Sequence, residues 1–382
     1  MRRGINLVFI ALLAVTGICS CKPDEVKFSI FIGSYTGAGS EGIYHCQFNP
    51  ETGKLSTPSL AIRTENPSFL EFDSERQLLF AVNELGDFKG TPSGAVSSFR
   101  IGTTSTLELI NQVPSMGGAP CHVSMDQSKK YLLTANYSSG SVSVFPIEGE
   151  GALGSAVAFV QHEGSGANPE RQKSPHAHSI QTTPENRFVL VTDLGIDKVM
   201  IYRFDVKTGS LIANDPPFAA MEPGAGPRHL EFSASGKQVY VLNELNSTIS
   251  FFTMDPETGA LEFRQTVSTL PVGFTSANTA AEITLDSHGD ILYASNRGHN
   301  SIVAFEVNHF SGELAAPNWT PTGKSPRHFA LDPTGRWLLV VSQHGNSIDV
   351  LEIDHDDKKL KTTSSSIEIN SPVCIRFVGA KN

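Results

Sequence analysis

The chain has 382 residues, 39% hydrophobic and 18% charged, so it can bury a large core and lacks the composition of a disordered segment. Glycine and proline together make 55 residues, about 14% against an average near ~12%, which predicts many turns rather than long helices. A formal net charge of −10 leaves no basic field for a polyanionic backbone, which argues against DNA or RNA as a partner.

At the N-terminus, Arg2 and Arg3 precede an apolar run from Ile5 to Ile18. About fourteen residues are too few to span a bilayer but match the h-region of a secretory signal. The following Ile18-Cys19-Ser20-Cys21 resembles a bacterial lipobox, with a branched residue at −3, a small one at −1 and a cysteine to carry the lipid. The expectation is a signal peptide over 1–20, lipidation at Cys21, a short tether over 21–27 and one domain over 28–382. An ordinary cleaved signal with an incidental cysteine is the alternative. Loss of residues 1–20 leaves 27 basic and 39 acidic groups, a charge of −12, on a body exported to the periplasm or cell surface and touching the membrane only through its lipid. Cys46, Cys121 and Cys374 remain, an odd number without a C-x-x-C pair, so neither a zinc site nor a full disulfide framework is indicated.

Beyond the tether one phrase recurs: a Pro-containing entry, an apolar strand, a polar turn, a second apolar strand ending in Asn or Asp, another turn and a third strand. Copies read NPSFLEFDSERQLLFAVNEL from Asn66, APCHVSMDQSKKYLLTANYS from Ala119, HAHSIQTTPENRFVLVTDLG from His176, GPRHLEFSASGKQVYVLNEL from Gly226, TAAEITLDSHGDILYASNRG from Thr279 and SPRHFALDPTGRWLLVVSQH from Ser325. A seventh begins at Ser371-Pro372, so anchors fall at 67, 120, 177, 227, 280, 326 and 372. Each unit holds about four runs of period-2 apolar alternation, which are strands. FNPETGKL, FDVKTGSL, MDPETGAL and VNHFSGEL mark hairpins in which a glycine adopts φ > 0, and their acidic residues lack calcium-loop spacing.

Four short antiparallel strands repeated seven times without helices predict an all-β, seven-bladed β-propeller. The last copy stops after one strand, SPVCIRFV, while the chain opens with FSIFIGSYTG and GIYHCQFN, enough to complete the same blade. Strands from both termini would thus close the ring and remove its free edges. Such a ring is self-sufficient, and the expected state is a monomer.

Innermost strands line a propeller's channel, so residues at one register form a ring. One position after each anchor stand Ser68, Cys121, His178, Arg228, Ala281, Arg327 and Val373; seventeen after it stand Glu84, Tyr137, Leu194, Glu244, Arg297 and Gln343. Guanidiniums converging on a channel mouth form a receptor for phosphate or carboxylate, and a His near a Glu supplies acid–base groups. Charges that simply pair in a wet channel are the bland alternative. His176 and His178 with Glu84 or Glu244 and Asp193 offer metal-type ligands, but the neighbouring arginines oppose a divalent cation, so no metal or other cofactor is expected. His229 and His328 should face away from the column before them and pack in the core. There is no G-x-S-x-G elbow and no phosphate loop.

SPHAHS (174–179), TPENRF (183–188), GPRH (226–229), NEL (243–245), SNRG (295–298) and SPRH (325–328), with the TG-x-L hairpins, resemble the seven-bladed bacterial 6-phosphogluconolactonase family, which also includes fungal carboxy-cis,cis-muconate cyclase. The resemblance runs from Phe28 to Val378. It implies a lactone hydrolase acting on a small sugar-derived lactone without metal, with the family's His on His178, its arginines on Arg228 and Arg297, and its Glu on Glu244. His176 competes for the histidine role; Arg327 and Glu84 join the substrate-binding set by column alone. An export signal fits poorly with a cytoplasmic phosphosugar, so a non-phosphorylated or uronic lactone is the alternative substrate, and a non-catalytic, membrane-anchored binding propeller is the rival function.

Overall fold

The computed structural model describes residues 27–378 apart from Ala38 and Thr104; the expected signal peptide, most of the expected tether and Cys21, the expected lipidation site, lie outside the described residues. Seven antiparallel sheets are present and, among the described residues, no helix. The inner strands are Pro67–Asp73, Pro120–Met125, Ala177–Thr182, Pro227–Phe232, Ala280–Leu285, Pro326–Leu331 and Pro372–Val378, defining blades 1 to 7. Every inner strand starts on its sequence anchor. In blades 2 and 7 the outermost strand is split into two short pieces.

Ring closure follows the expectation. Pro372–Val378 pairs with Phe28–Ser34, which pairs in turn with Gly42–Asn49, so the C-terminus supplies the inner strand of blade 7 and the N-terminus the rest. The core is a circle of inter-blade clusters rather than one centre. Tyr240, Leu242 and Phe251 of blade 4, for example, pack on Ile283, Leu292 and Phe305 of blade 5, all nearly inaccessible to water. The predicted hairpin glycines, Gly53, Gly209, Gly259 and Gly312, all have positive φ. A Cβ on any of them would come under 3.0 Å from an aromatic ring of the preceding blade: Trp337, Tyr131, Phe188 and Phe251 respectively. Glycine is therefore needed twice over, for the turn and for blade-to-blade approach.

Two backbone devices position the channel residues. Each inner hairpin carries a β-bulge just after the anchor, so that in blade 4 Pro227 opposes Asn243 and His229 opposes Leu242 while Arg228 is left over. The same irregularity frees Ser68, Cys121, His178, Arg327 and Val373. A bulge re-aims the extra side chain. At the far end of the second strand, Asn83, Asn136, Asp193, Asn243, Asn296, Ser342 and Ser34 are fully buried. Several latch the incoming loop, as when Asn296 Nδ2 donates to Thr269 O at 2.8 Å. The next residue in each blade then donates its N–H back across the hairpin, Glu244 to Gly226 O and Arg297 to Thr279 O among them. These are the two columns read from the sequence, and both face one mouth of the channel.

Candidate active site

A cavity of about 240 Å³ opens at that mouth, lined by Tyr35, Glu84, Cys121, Tyr137, Arg171, His178, Glu244, Arg297 and Arg327, with Arg228 buried against it. Glu244 is its electrostatic centre. Arg171 Nη2 donates to Glu244 Oε1 at 2.9 Å, Arg297 Nη2 lies 2.8 Å from Oε2, and Arg228 Nε stands 3.2 Å from the same oxygen. Burial alone would raise this carboxyl, but Arg297 and Arg228, helped by His178 and Arg171, overcome it and hold Glu244 far below the usual carboxylate range. Burial, with the charges of Arg297 and Arg327, brings Arg228 down to about 10.

His178 lies beside this cluster with Nδ1 3.7 Å from Cys121 Sγ, and no described residue hydrogen-bonds to its Nε2. Burial first, then Arg228 and His229, push its pKa well below 6.5, so the imidazole is neutral and able to accept a proton. Burial raises the Cys121 thiol, so this cysteine packs as a thiol rather than acting as a nucleophile. On the opposite wall Tyr35 OH donates to Glu84 Oε2 at 2.8 Å and accepts from Arg327 Nη2 at 2.9 Å. Arg327 also lies over the Tyr35 ring and has no carboxylate within ion-pair distance among the described residues.

His178, Arg228, Glu244, Arg297, Arg327 and Glu84 thus come together. His176 does not line the cavity: its ring stacks on Tyr137 at 4.5 Å and Nδ1 contacts Tyr137 O at 2.9 Å, so it supports a wall. Asp193 is occupied by His162 Nδ1, 2.6 Å away, and by the His176 N–H. Among the described residues no three His, Cys, Asp or Glu side chains gather in metal-holding geometry. Cys46, Cys121 and Cys374 are free and buried.

Sequence reasoning missed two cavity residues. Tyr35 is the seventh member of the second column, its N–H donating to Ser371 O as its counterparts do in their own blades. Counting forward from anchor 372 runs off the chain, but aligning GSY with VNE and ANY would have found it. Arg171 sits on the loop between blades 2 and 3, outside the repeat, and carried no signal. A shallower depression of about 420 Å³ adjoins the cavity, sharing Arg297 and Arg327 and lined also by Gln343 and His344. A surface groove of about 660 Å³ between blades 3 and 4 holds none of the column residues, and its Arg187 is ion-paired with Glu257.

The fold defines a seven-bladed β-propeller with its chemistry at one channel mouth, and the comparisons with known proteins narrow the class. Residues 29–377 match the family model "Lactonase, 7-bladed beta-propeller". The chain is 36% identical to a 6-phosphogluconolactonase of Bacillus subtilis over 92% of its own length and 99% of that protein's. It is 31% identical to a 6-phosphogluconolactonase of Formosa agariphila over 89% of this chain and 97% of that one. A solved periplasmic gluconolactonase of Pseudomonas aeruginosa superposes with a TM-score of 0.88 at 34% identity, covering 93% of this chain and 99% of that one. The chain belongs to the seven-bladed β-propeller lactonase family and is a lactone hydrolase of the 6-phosphogluconolactonase type.

Proposed function

We propose that this enzyme opens an anionic, sugar-derived lactone, with the ring ester at His178 and the anion on the guanidinium wall. The observation that carries the reading is Arg327, a half-buried guanidinium with no carboxylate in ion-pair contact among the described residues, at the boundary between the small cavity and the adjoining depression. Glu84 and Glu244 act on this cation only from a distance, so the guanidinium keeps donors for an anion from the ligand. The half-buried Gln343 side chain beside it has no hydrogen-bond partner among the described residues and is available to a sugar hydroxyl or phosphate oxygen.

Water adds to the lactone carbonyl carbon while neutral His178 takes one of its protons; Arg228 and Arg297 offset the charge arriving on the carbonyl oxygen. As the tetrahedral species collapses the ring C–O bond breaks, and the imidazolium returns its proton to the leaving alkoxide. Glu244, held ionised, is poorly placed to be that acid. It fixes the guanidiniums and stabilises the imidazolium instead.

The lipobox-like segment and the periplasmic relative support an exported, lipid-anchored enzyme acting outside the cytoplasm, and the self-sufficient ring supports a monomer. There a uronic lactone is as fitting a source of the anion as a phosphosugar. The test follows acid release by the chain lacking residues 1–21 on 6-phosphoglucono-δ-lactone, glucono-δ-lactone and a uronic lactone, with EDTA present and Arg327→Met as control. The expected result is acceleration of anionic lactones over spontaneous opening, with KM raised by Arg327→Met for those alone. Equal KM for neutral and anionic lactones would overturn the anionic assignment. No acceleration of any would favour a binding propeller.

A further inference from the structure

Directly beneath the cavity a second ring crosses the channel, one residue further along each inner strand: Phe69, His122, Ser179, His229, Glu282, His328 and Cys374, all buried. None of these residues lines the cavity above, yet two contacts tie the ring to that site. Glu282 Oε1 lies 3.0 Å from His229 Nδ1, and His229 Nε2 lies 3.3 Å from Arg228 Nη1.

A guanidinium N–H can only donate. His229 Nε2 must therefore accept, and the single proton of the neutral ring resides on Nδ1, where Glu282 receives it. The other Nη1 hydrogen goes to Ala281 O, the residue before Glu282. Arg228 Nε faces Glu244. Nη1 is thus held by protein hydrogen bonds, Nε stands at ion-pair distance from Glu244 without a hydrogen bond, and Nη2 has no partner among the described residues.

We propose that Glu282 and His229 are a positioning pair for Arg228: the carboxylate fixes the imidazole tautomer so that a lone pair meets Nη1, and the guanidinium is left with Nη2 as its free, pre-aimed end for substrate oxygen. Without the carboxylate the ring can move its proton to Nε2, setting two donors against each other and turning the guanidinium away. The other groups around the pair do not substitute for it. His328 Nε2 stands 3.5 Å from Glu282 Oε2 and faces Arg376 Nη1 at 3.3 Å, and His122, His178 and Phe69 meet His229 only edge to face. The inference rests on the reading of Arg228 as a substrate contact.

Steady-state kinetics on whichever lactone the enzyme opens, with Glu282→Leu, Glu282→Gln and His229→Phe made alone and in an Arg228→Lys background, test it. Misplacing a contact by about 1 Å can cost ~10²-fold, so Glu282→Leu and His229→Phe should each lower kcat by about that factor with a much smaller change in KM. Glu282→Gln keeps an oxygen for the Nδ1 proton and should stay near wild type. In Arg228→Lys, where the held nitrogen is gone, Glu282→Leu should cost little more. Equal losses in both backgrounds, or Glu282→Gln as damaging as Glu282→Leu, would show a merely structural role and overturn the proposal. If Glu282→Leu does not fold, His229→Phe, with no ring nitrogen, carries the same cycle. Arg228→Ala active at the wild-type rate would instead remove the reading of Arg228 on which the pair depends.

Discussion

His178, Arg228 and Arg327 of the cavity ring and the ring beneath it are adjacent residues of the same strands, yet the two rings differ in electrostatics. Above, Arg171, Arg228 and Arg297 gather on Glu244 and hold it ionised, while Tyr35 links Glu84 to Arg327. Below, His122, His229 and His328 are held neutral, His328 pushed down to about 3 by burial against the partial offset of Glu282. The β-bulge makes the difference, turning one residue of each pair to the mouth and the next into the dry channel. His178 is the exception that unites the two: it stands in the charged ring with the protonation state of the dry one.

That exception gives the largest expected effect. His178→Gln should lower kcat by about 10²–10⁴-fold with little change in KM, whereas His122→Gln, one ring down, should stay within a few fold. Because burial, Arg228 and His229 all disfavour the imidazolium, the acidic limb of kcat/KM should lie well below pH 6.5. A limb at or above 6.5 would place a different base in the site.

The next effect tests the charged ring. Glu244→Gln leaves Arg171, Arg228 and Arg297 without their shared carboxylate, and breaking a buried pair in this way costs about 3–5 kcal/mol. Glu244 has a depressed folded pKa, so its contribution is fully present above the unfolded value of 4.5 and is lost as pH falls toward the folded one. The difference in Tm between wild type and variant should therefore be greatest at neutral pH and shrink below about pH 4.5. A gap that does not vary with pH would mean the arginines do not depend on the charge.

The dry ring should show a dependence of the same sign in a higher pH window. A histidine whose folded pKa is lowered must give up its proton to fold, so stability is lost as pH falls below 6.5, by up to about 1.4 kcal/mol per pH unit for each such group. His328→Gln should flatten the denaturation-midpoint profile between pH 6.5 and 5 by about one proton. An unchanged slope would mean that the channel admits water and lets His328 ionise in place.

The sequence showed the columns because the repeat is strict where the backbone is: Pro227 and Asn243 bracket every device that places Arg228 and Glu244, and their counterparts recur in each blade. Strand alternation, however, predicted that His229 would point away from Arg228. The bulge breaks that alternation, and the two side chains touch at 3.3 Å. Period-2 reasoning places residues in regular ladder and fails at the one irregular position on which this site is built. His229 is nevertheless a packed channel histidine, as expected. Arg171 was invisible for another reason: it reaches Glu244 across 73 residues from a loop that belongs to no repeat.

Tyr35 gives the smallest and most local test, since it joins the charged ring to the ring closure. It arrives on the N-terminal strand of blade 7, and its hydroxyl is the only protein hydrogen-bond donor to the Glu84 carboxylate and the only acceptor for Arg327 Nη2 among the described residues. Tyr35→Phe keeps the ring beneath Arg327 but leaves a half-buried donor and a half-buried acceptor unmet, a loss of about 1–3 kcal/mol unless water meets them or they close on each other. If they do close, Arg327 gains an ion partner and is less available to a substrate anion. Stability should then fall by less than about 1 kcal/mol while KM for an anionic lactone rises severalfold and KM for a neutral one stays put. A full loss of stability with both KM values unchanged would show that Arg327 does not respond to its neighbour, and would separate closure of the propeller from recognition of the substrate.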